Sequence, residues 1–129
     1  LAEKIVAAVG KTVWIKEEGL MDIVTAVSGS GPAYFFYVMQ AIRDAAMREG
    51  LDAETARLLS LETALGAARL ALASTEDPGN LQAQVTSPGG TTEAAIKVLE
   101  DSGVRDTLQN AVSAARARGG ELAKLLDRD

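Results

Sequence analysis

"AETARLLSLETALGAARLALA", residues 53 to 73, decides the fold. Alanine and leucine dominate it, and both are strong helix formers. Leu58, Leu59, Leu61, Leu65, Leu70 and Leu72 are spread around the circumference, with Ala64, Ala67, Ala68 and Ala71 between them. A helix that is apolar on every side has to be enclosed on every side. In a chain of 129 residues few helices can be enclosed by their own chain, so a second subunit is the natural cover. The alternative is the central helix of a monomeric bundle. Gly66 would let another backbone approach closely, at a helix-propensity cost of about 1 kcal/mol relative to alanine.

Moving towards the amino terminus, Asp52 caps this helix and Gly50 ends the one before it. In that preceding helix Phe35, Val38, Met39, Ile42, Ala45 and Ala46 recur at three- and four-residue spacing, which gives one apolar stripe. Pro32 suits its first turn and Ser30 is a candidate cap. "LMDIVTAV" (20–27) predicts a short apolar helix, broken by "SGSGP" (28–32). Residues 1 to 8 predict a helix end closed by Gly10. "TVWI" (12–15) then favours a strand. A single strand cannot satisfy its own backbone groups. It therefore pairs with another chain or belongs to a sheet lying upstream.

Towards the carboxy terminus, "STEDPGN" (74–80) predicts a turn with Pro78 and Gly79 as breakers, followed by "LQAQ" (81–84). A helix is expected from about Thr92 to Asp101, stopped at Gly103. The last helix carries Val104, Leu108, Ala111, Val112 and Ala115 as a single stripe. Gly119 and Gly120 predict fraying or a kink near its end. There is no internal repeat and no long heptad series. The expected fold is all-α.

Composition narrows the chemistry. The length suits one domain. Apolar residues make up 47% and charged residues 24%, with no run long enough for a membrane span, so a soluble globular chain is expected. Net charge is −5 without a basic cluster, which argues against nucleic acid as a partner. There is no cysteine, and the opening residues do not resemble a signal peptide, so a cytoplasmic setting is expected. There is also no histidine. That removes Ser-His-Asp and Cys-His nucleophilic systems and most transition-metal sites, leaving hydroxyls, carboxylates, backbone amides or a bound cofactor.

The stretch with most to offer is "VTSPGGTT" (85–92). Glycines just before a helix allow successive N–H groups to face one concavity, and the helix start adds partial positive charge. Pro88 restricts the turn, and Gly89 and Gly90 clear space. Ser87, Thr91 and Thr92 supply hydroxyls that donate or accept. One reading is a seat for a small carboxylate. The other is a tight turn and a capped helix start with no ligand. A P-loop is not supported, because the lysine and the preceding strand are lacking. "SGSGPAY" (28–34) lacks the spacing of a dinucleotide fingerprint and follows a helix. Glu17, Glu18 and Asp22 read as a solvated acidic face, not a metal site. Trp14 and Tyr34 read as packing residues. Lys97, Arg105, Arg116 and Arg118 read as helix-surface charge.

"AVSGSGPAYFF" (26–36), "LGAARL" (65–70) and "VTSPGGTTEAAIKVLE" (85–100) together, in that order and spacing, resemble the carboxy-terminal half of pyrroline-5-carboxylate reductase. The resemblance runs from about Leu1 to Leu122. It implies an enzyme that reduces the C=N bond of 1-pyrroline-5-carboxylate to L-proline with NADPH or NADH. It also implies an amino-terminal Rossmann domain that holds most of the cofactor, and a helical domain that interlocks between two subunits. Homodimers of such proteins assemble further, often into decamers.

On this resemblance residues 1–18 are a lead-in from the nucleotide-binding domain, "TVWI" included, and residues 19–129 are the helical dimerisation and substrate-binding domain. The substrate carboxylate would sit on Ser87, Gly89, Gly90 and Thr91, with Thr92 beside the ring nitrogen, where it donates or relays a hydrogen bond. Ser28, Gly29 and Ser30 either line the site or shape a helix start. The sequence departs from the family at Gln82 to Gln84, where a more acidic or Asn-bearing stretch is usual. It departs again at Gly119 and Gly120, where a continuous helix is typical. Without the upstream domain the chain is expected to be inactive. The reading from another class is a non-catalytic dimerisation module whose glycine turn only caps a helix.

Overall fold

The computed structural model describes residues 11–126. The helix end expected at residues 1 to 8 lies outside them. Among the described residues there is no strand. A 3-10 turn, Glu18–Leu20, leads into α1 (Met21–Val24) and a π turn (Thr25–Gly29). There follow α2 (Gly31–Arg48), α3 (Ala53–Ala73), α4 (Pro78–Gln84), α5 (Thr91–Asp101) and α6 (Val104–Leu126). None of these helices is long and apolar enough to cross a membrane.

The α2–α3 hairpin is built as its sequence demands. Gly50, at φ 106, lets the chain reverse, and Leu51 N–H reaches back to the Ala46 carbonyl at 3.1 Å. Asp52 then accepts a 2.9 Å hydrogen bond from Thr55 N–H at the head of α3. The Thr55 side chain first, and then its amide, hold the Asp52 carboxyl below the usual carboxylate range.

α2 packs on α3 at one end of the molecule. At the other end α1 and the π turn pack on α6, and α6 also carries α5. The π turn joins the two halves through its contact with α2, and Tyr34 Oη ties it down by donating to the Ala26 carbonyl at 3.1 Å.

The core at these contacts is made of small residues. Ala26 and Ala56 are 1% and 0% exposed, Gly31 and Ser60 are also buried, and no large side chain is fully enclosed. The large apolar side chains lie outside: Tyr37 and Leu72 are 76% and 74% exposed, and Leu58, Leu59, Leu65, Leu70, Phe35 and Phe36 are exposed with them. α3 is thus covered along one line by α2 and bare elsewhere. The structure disagrees with a monomeric bundle and agrees with a helix waiting for a second chain. The space around Gly66 is open. Even with allowance for the thirteen residues outside the described range, the accessible surface of 10681 Å² exceeds the about 6500 Å² of a compact monomer of this mass.

Several expectations meet the structure differently. Thr12–Ile15 forms no ladder among the described residues, none of which offers it a partner; the pairing expected for it is with another chain or an upstream sheet, outside those residues. Trp14, expected to pack, is 70% exposed. Pro78 and Gly79 open a helix instead of breaking one, because Asp77 caps it through a 2.8 Å bond from Gly79 N–H and proline is well suited to a first turn. "SGSGP" does not interrupt the helical path either. The backbone passes through a π turn with Ser30 still in the helical region, and the Ser30 side chain caps nothing.

The last correction concerns Gly119 and Gly120, which lie inside a continuous α6. A Cβ at either position would lie 3.3 Å from a carboxylate oxygen of Asp22. The pair forms a notch for that side chain, and the docking of α1 keeps α6 continuous where propensity alone would loosen it. Asp22 is therefore half-buried, unlike its exposed neighbours Glu17 and Glu18.

Candidate functional site

The turn is built from both sides. At the end of α4 the Thr86 hydroxyl donates to the Gln82 carbonyl at 2.6 Å, and Thr86 N–H to Ala83 at 3.1 Å, so the helix closes before the turn begins. Pro88 follows Ser87, Gly89 has φ 71, and Gly90 N–H donates to the Ser87 carbonyl at 3.0 Å. Proline followed by a residue of positive φ is the pattern of a type II turn. Gly90 has no substitute here. A Cβ on it would lie 2.9 Å from Ser87 Oγ and 3.0 Å from the Ser87 carbonyl.

α5 begins at Thr91, with Gly90 at the cap position and no side chain to perform the capping. Among the described residues no acceptor is in place for Thr91 or Thr92 N–H, and the first amides of a helix have no partner within it. These groups carry the positive end of the helix dipole. Ser87, Gly89 and Thr91 are exposed, while Gly90 and Thr92 are half-buried. The structure therefore brings all five sequence-predicted residues to one turn, open to solvent in the single chain.

One residue was not anticipated. Glu93 reaches back over the turn and its Oε2 accepts a 2.7 Å hydrogen bond from Gly89 N–H. The bare concavity read from the glycines is thus partly filled: Gly89 is held by Glu93 and Gly90 by Ser87, leaving the amides of Thr91, Thr92 and Glu93. The signal was present in the sequence. A glutamate three residues beyond a helix cap is the acidic half of a capping box, and here it returns to the residue before the cap.

The other sequence candidates lie elsewhere. Ser28 Oγ donates to the Val24 carbonyl at 2.7 Å, a local bond that serves the π turn. Lys97 pairs with Asp101 at 2.7 Å, Arg118 with Glu121 at 2.7 Å, and Arg105 with Glu100. Surface pairs of this kind contribute little. Among the described residues no three acidic side chains converge on a point suited to a metal ion. Nor do they contain a strand, glycine loop and helix in the order a dinucleotide needs, and Ser28 to Gly31 lie in π and α turns. The residues described here do not fit a nicotinamide dinucleotide.

An open array of helices, with its large apolar side chains facing outward and one polar turn between two short helices, defines a dimerisation module that carries a candidate small-anion site. The family described as "Pyrroline-5-carboxylate reductase dimerisation" matches residues 18–122, and the chain belongs to it. The pyrroline-5-carboxylate reductase of Pseudomonas aeruginosa is 51% identical over 125 residues, which is 97% of this chain and 46% of the relative. Among solved structures, a pyrroline-5-carboxylate reductase from Coxiella burnetii superposes with a TM-score of 0.90 at 49% identity, over 94% of this chain and 45% of that one. Plasmodium falciparum pyrroline carboxylate reductase with NADP bound superposes at 0.83 with 33% identity, over 92% of this chain and 46% of that one. The chain spans about half the length of the curated relatives it matches.

Proposed function

We propose that this chain is the dimerising and substrate-binding part of a reductase that converts 1-pyrroline-5-carboxylate to L-proline at the expense of NADPH or NADH. The observation that carries the reading is membership of the reductase dimerisation family over residues 18–122. The Ser87–Thr92 turn adds support, because its unused amides and hydroxyls suit a small amino-acid-like carboxylate. In this reading Ser87, Gly89, Gly90 and Thr91 hold the carboxylate. Thr92, beside the ring nitrogen, orients the imine through its hydroxyl. Holding the ring in one pose is what these residues contribute to rate. The cofactor belongs to a nucleotide-binding domain upstream, for which residues 1–18 form the lead-in and residues 19–129 the partner domain. The protein works as a homodimer, and dimers assemble further into a higher oligomer such as a decamer.

The complete protein containing this chain is expected to oxidise NADPH or NADH when given 1-pyrroline-5-carboxylate, and the isolated chain is not. Ser87→Ala and Thr92→Val in the complete protein are expected to raise KM or lower kcat by tenfold or more, roughly the effect of losing one or two substrate hydrogen bonds. The non-catalytic reading, favoured by the Glu93 bond that already serves the turn, expects no turnover and no effect of either change.

A further inference from the structure

We propose that Glu93 sets the affinity of this turn for carboxylates by occupying it from within. The proposal rests on the functional reading above. Its starting point is the 2.7 Å bond from Gly89 N–H to Glu93 Oε2, which puts a carboxylate of the protein on a donor of the same turn that is to receive the carboxylate of the substrate. Glu93 lies in the first turn of α5, and both it and Gly89 are exposed, so the side chain is free to swing away. The neighbouring donors at Thr91 and Thr92 stay open. An incoming anion thus meets a seat with the amides of Thr91 and Thr92 available, those of Gly89 and Gly90 taken, and a negative charge at its edge.

Two consequences follow from that arrangement. Full engagement of the turn requires the Glu93 carboxylate to leave Gly89, so every carboxylate ligand competes with it. While it remains, its charge repels a second carboxylate a few ångströms away. Ligands that lack the negative charge meet only the first effect. No lysine or arginine lies among the turn residues to offset Glu93, since residues 85–92 carry no charged side chain. Glu93 therefore acts as a specificity-determining residue, one that weakens binding of small acids and does so through charge.

The test uses the complete protein at low ionic strength and compares Glu93→Gln and Glu93→Ala with the unaltered enzyme. The readouts are KM for 1-pyrroline-5-carboxylate and the inhibition constants of L-proline and L-prolinamide, which differ in the carboxylate. Both substitutions are expected to lower KM and to tighten L-proline by roughly three- to tenfold, the size of one like-charge interaction near the surface. The ratio of prolinamide to proline inhibition constants should rise with them. A KM that is unchanged or raised, or equal shifts for proline and prolinamide, overturns the proposal and makes Glu93 a structural clamp. An unaltered enzyme with no turnover, or turnover insensitive to Ser87→Ala and Thr92→Val, instead overturns the functional reading on which the proposal rests.

Discussion

Gly90 is the residue on which the turn depends most directly. The contacts of 2.9 and 3.0 Å that its Cβ would make are both to Ser87, one of them to backbone that cannot swing aside. Gly90→Ala is expected to open the turn and separate Ser87 from the head of α5. In the complete enzyme KM should rise at least as far as for Ser87→Ala, with helix content by circular dichroism unchanged. At the other end of the molecule Asp52 offers a test of capping. Asp52→Ala should lower the urea midpoint at neutral pH, as loss of a helix cap does. Because the folded carboxyl titrates below its unfolded value, the cap contributes in full above about pH 4 and is lost as pH falls through the lowered value. The difference between wild type and variant should therefore shrink on acidification.

At the scale of elements, the sequence was most informative where local chemistry and tertiary packing agree. α3 runs from Ala53 to Ala73 as its pattern predicts, since Asp52 caps it and nothing in its interior opposes the helix. α4 departs from the turn that Pro78 and Gly79 predict, because the deciding residue is Asp77 one place earlier. Val13 and Trp14 carry strand propensity, but pairing is a property of two segments and cannot be read from one. Gly119 and Gly120 depart from the fraying they predict for a different reason: the side chain that gives them their role is Asp22, almost a hundred residues away in sequence. That the five residues of the candidate site share one turn is legible in the sequence. The partial occupation by Glu93 is not, because spacing does not tell which donor a flexible glutamate will choose. The notch makes a testable claim. Gly119→Ala should gain up to about 1 kcal/mol of helix propensity in an Asp22→Ala background and gain less, or lose, with Asp22 present. A double-mutant cycle in urea measures the difference.

For the whole molecule the question is what covers the exposed leucines of α3 and the aromatics of α2. Membership of a dimerisation family points to a second copy of the chain. Charge placed on that surface should prevent assembly: Leu65→Glu with Leu72→Glu is expected to yield a monomer by light scattering. Gly66→Leu should weaken the dimer if a partner backbone passes over the open space beside Gly66.

The interior built from Ala26, Gly31, Ala56 and Ser60 has a final consequence. Small side chains permit close helix crossings but remove little hydrocarbon from water, so one copy alone holds only a slender margin against unfolding. Most of the cohesive energy arrives with the neighbour, and the law of mass action then governs the melting temperature. Dilution should act on this molecule as a mild denaturant, with each tenfold drop in concentration moving its thermal midpoint downward.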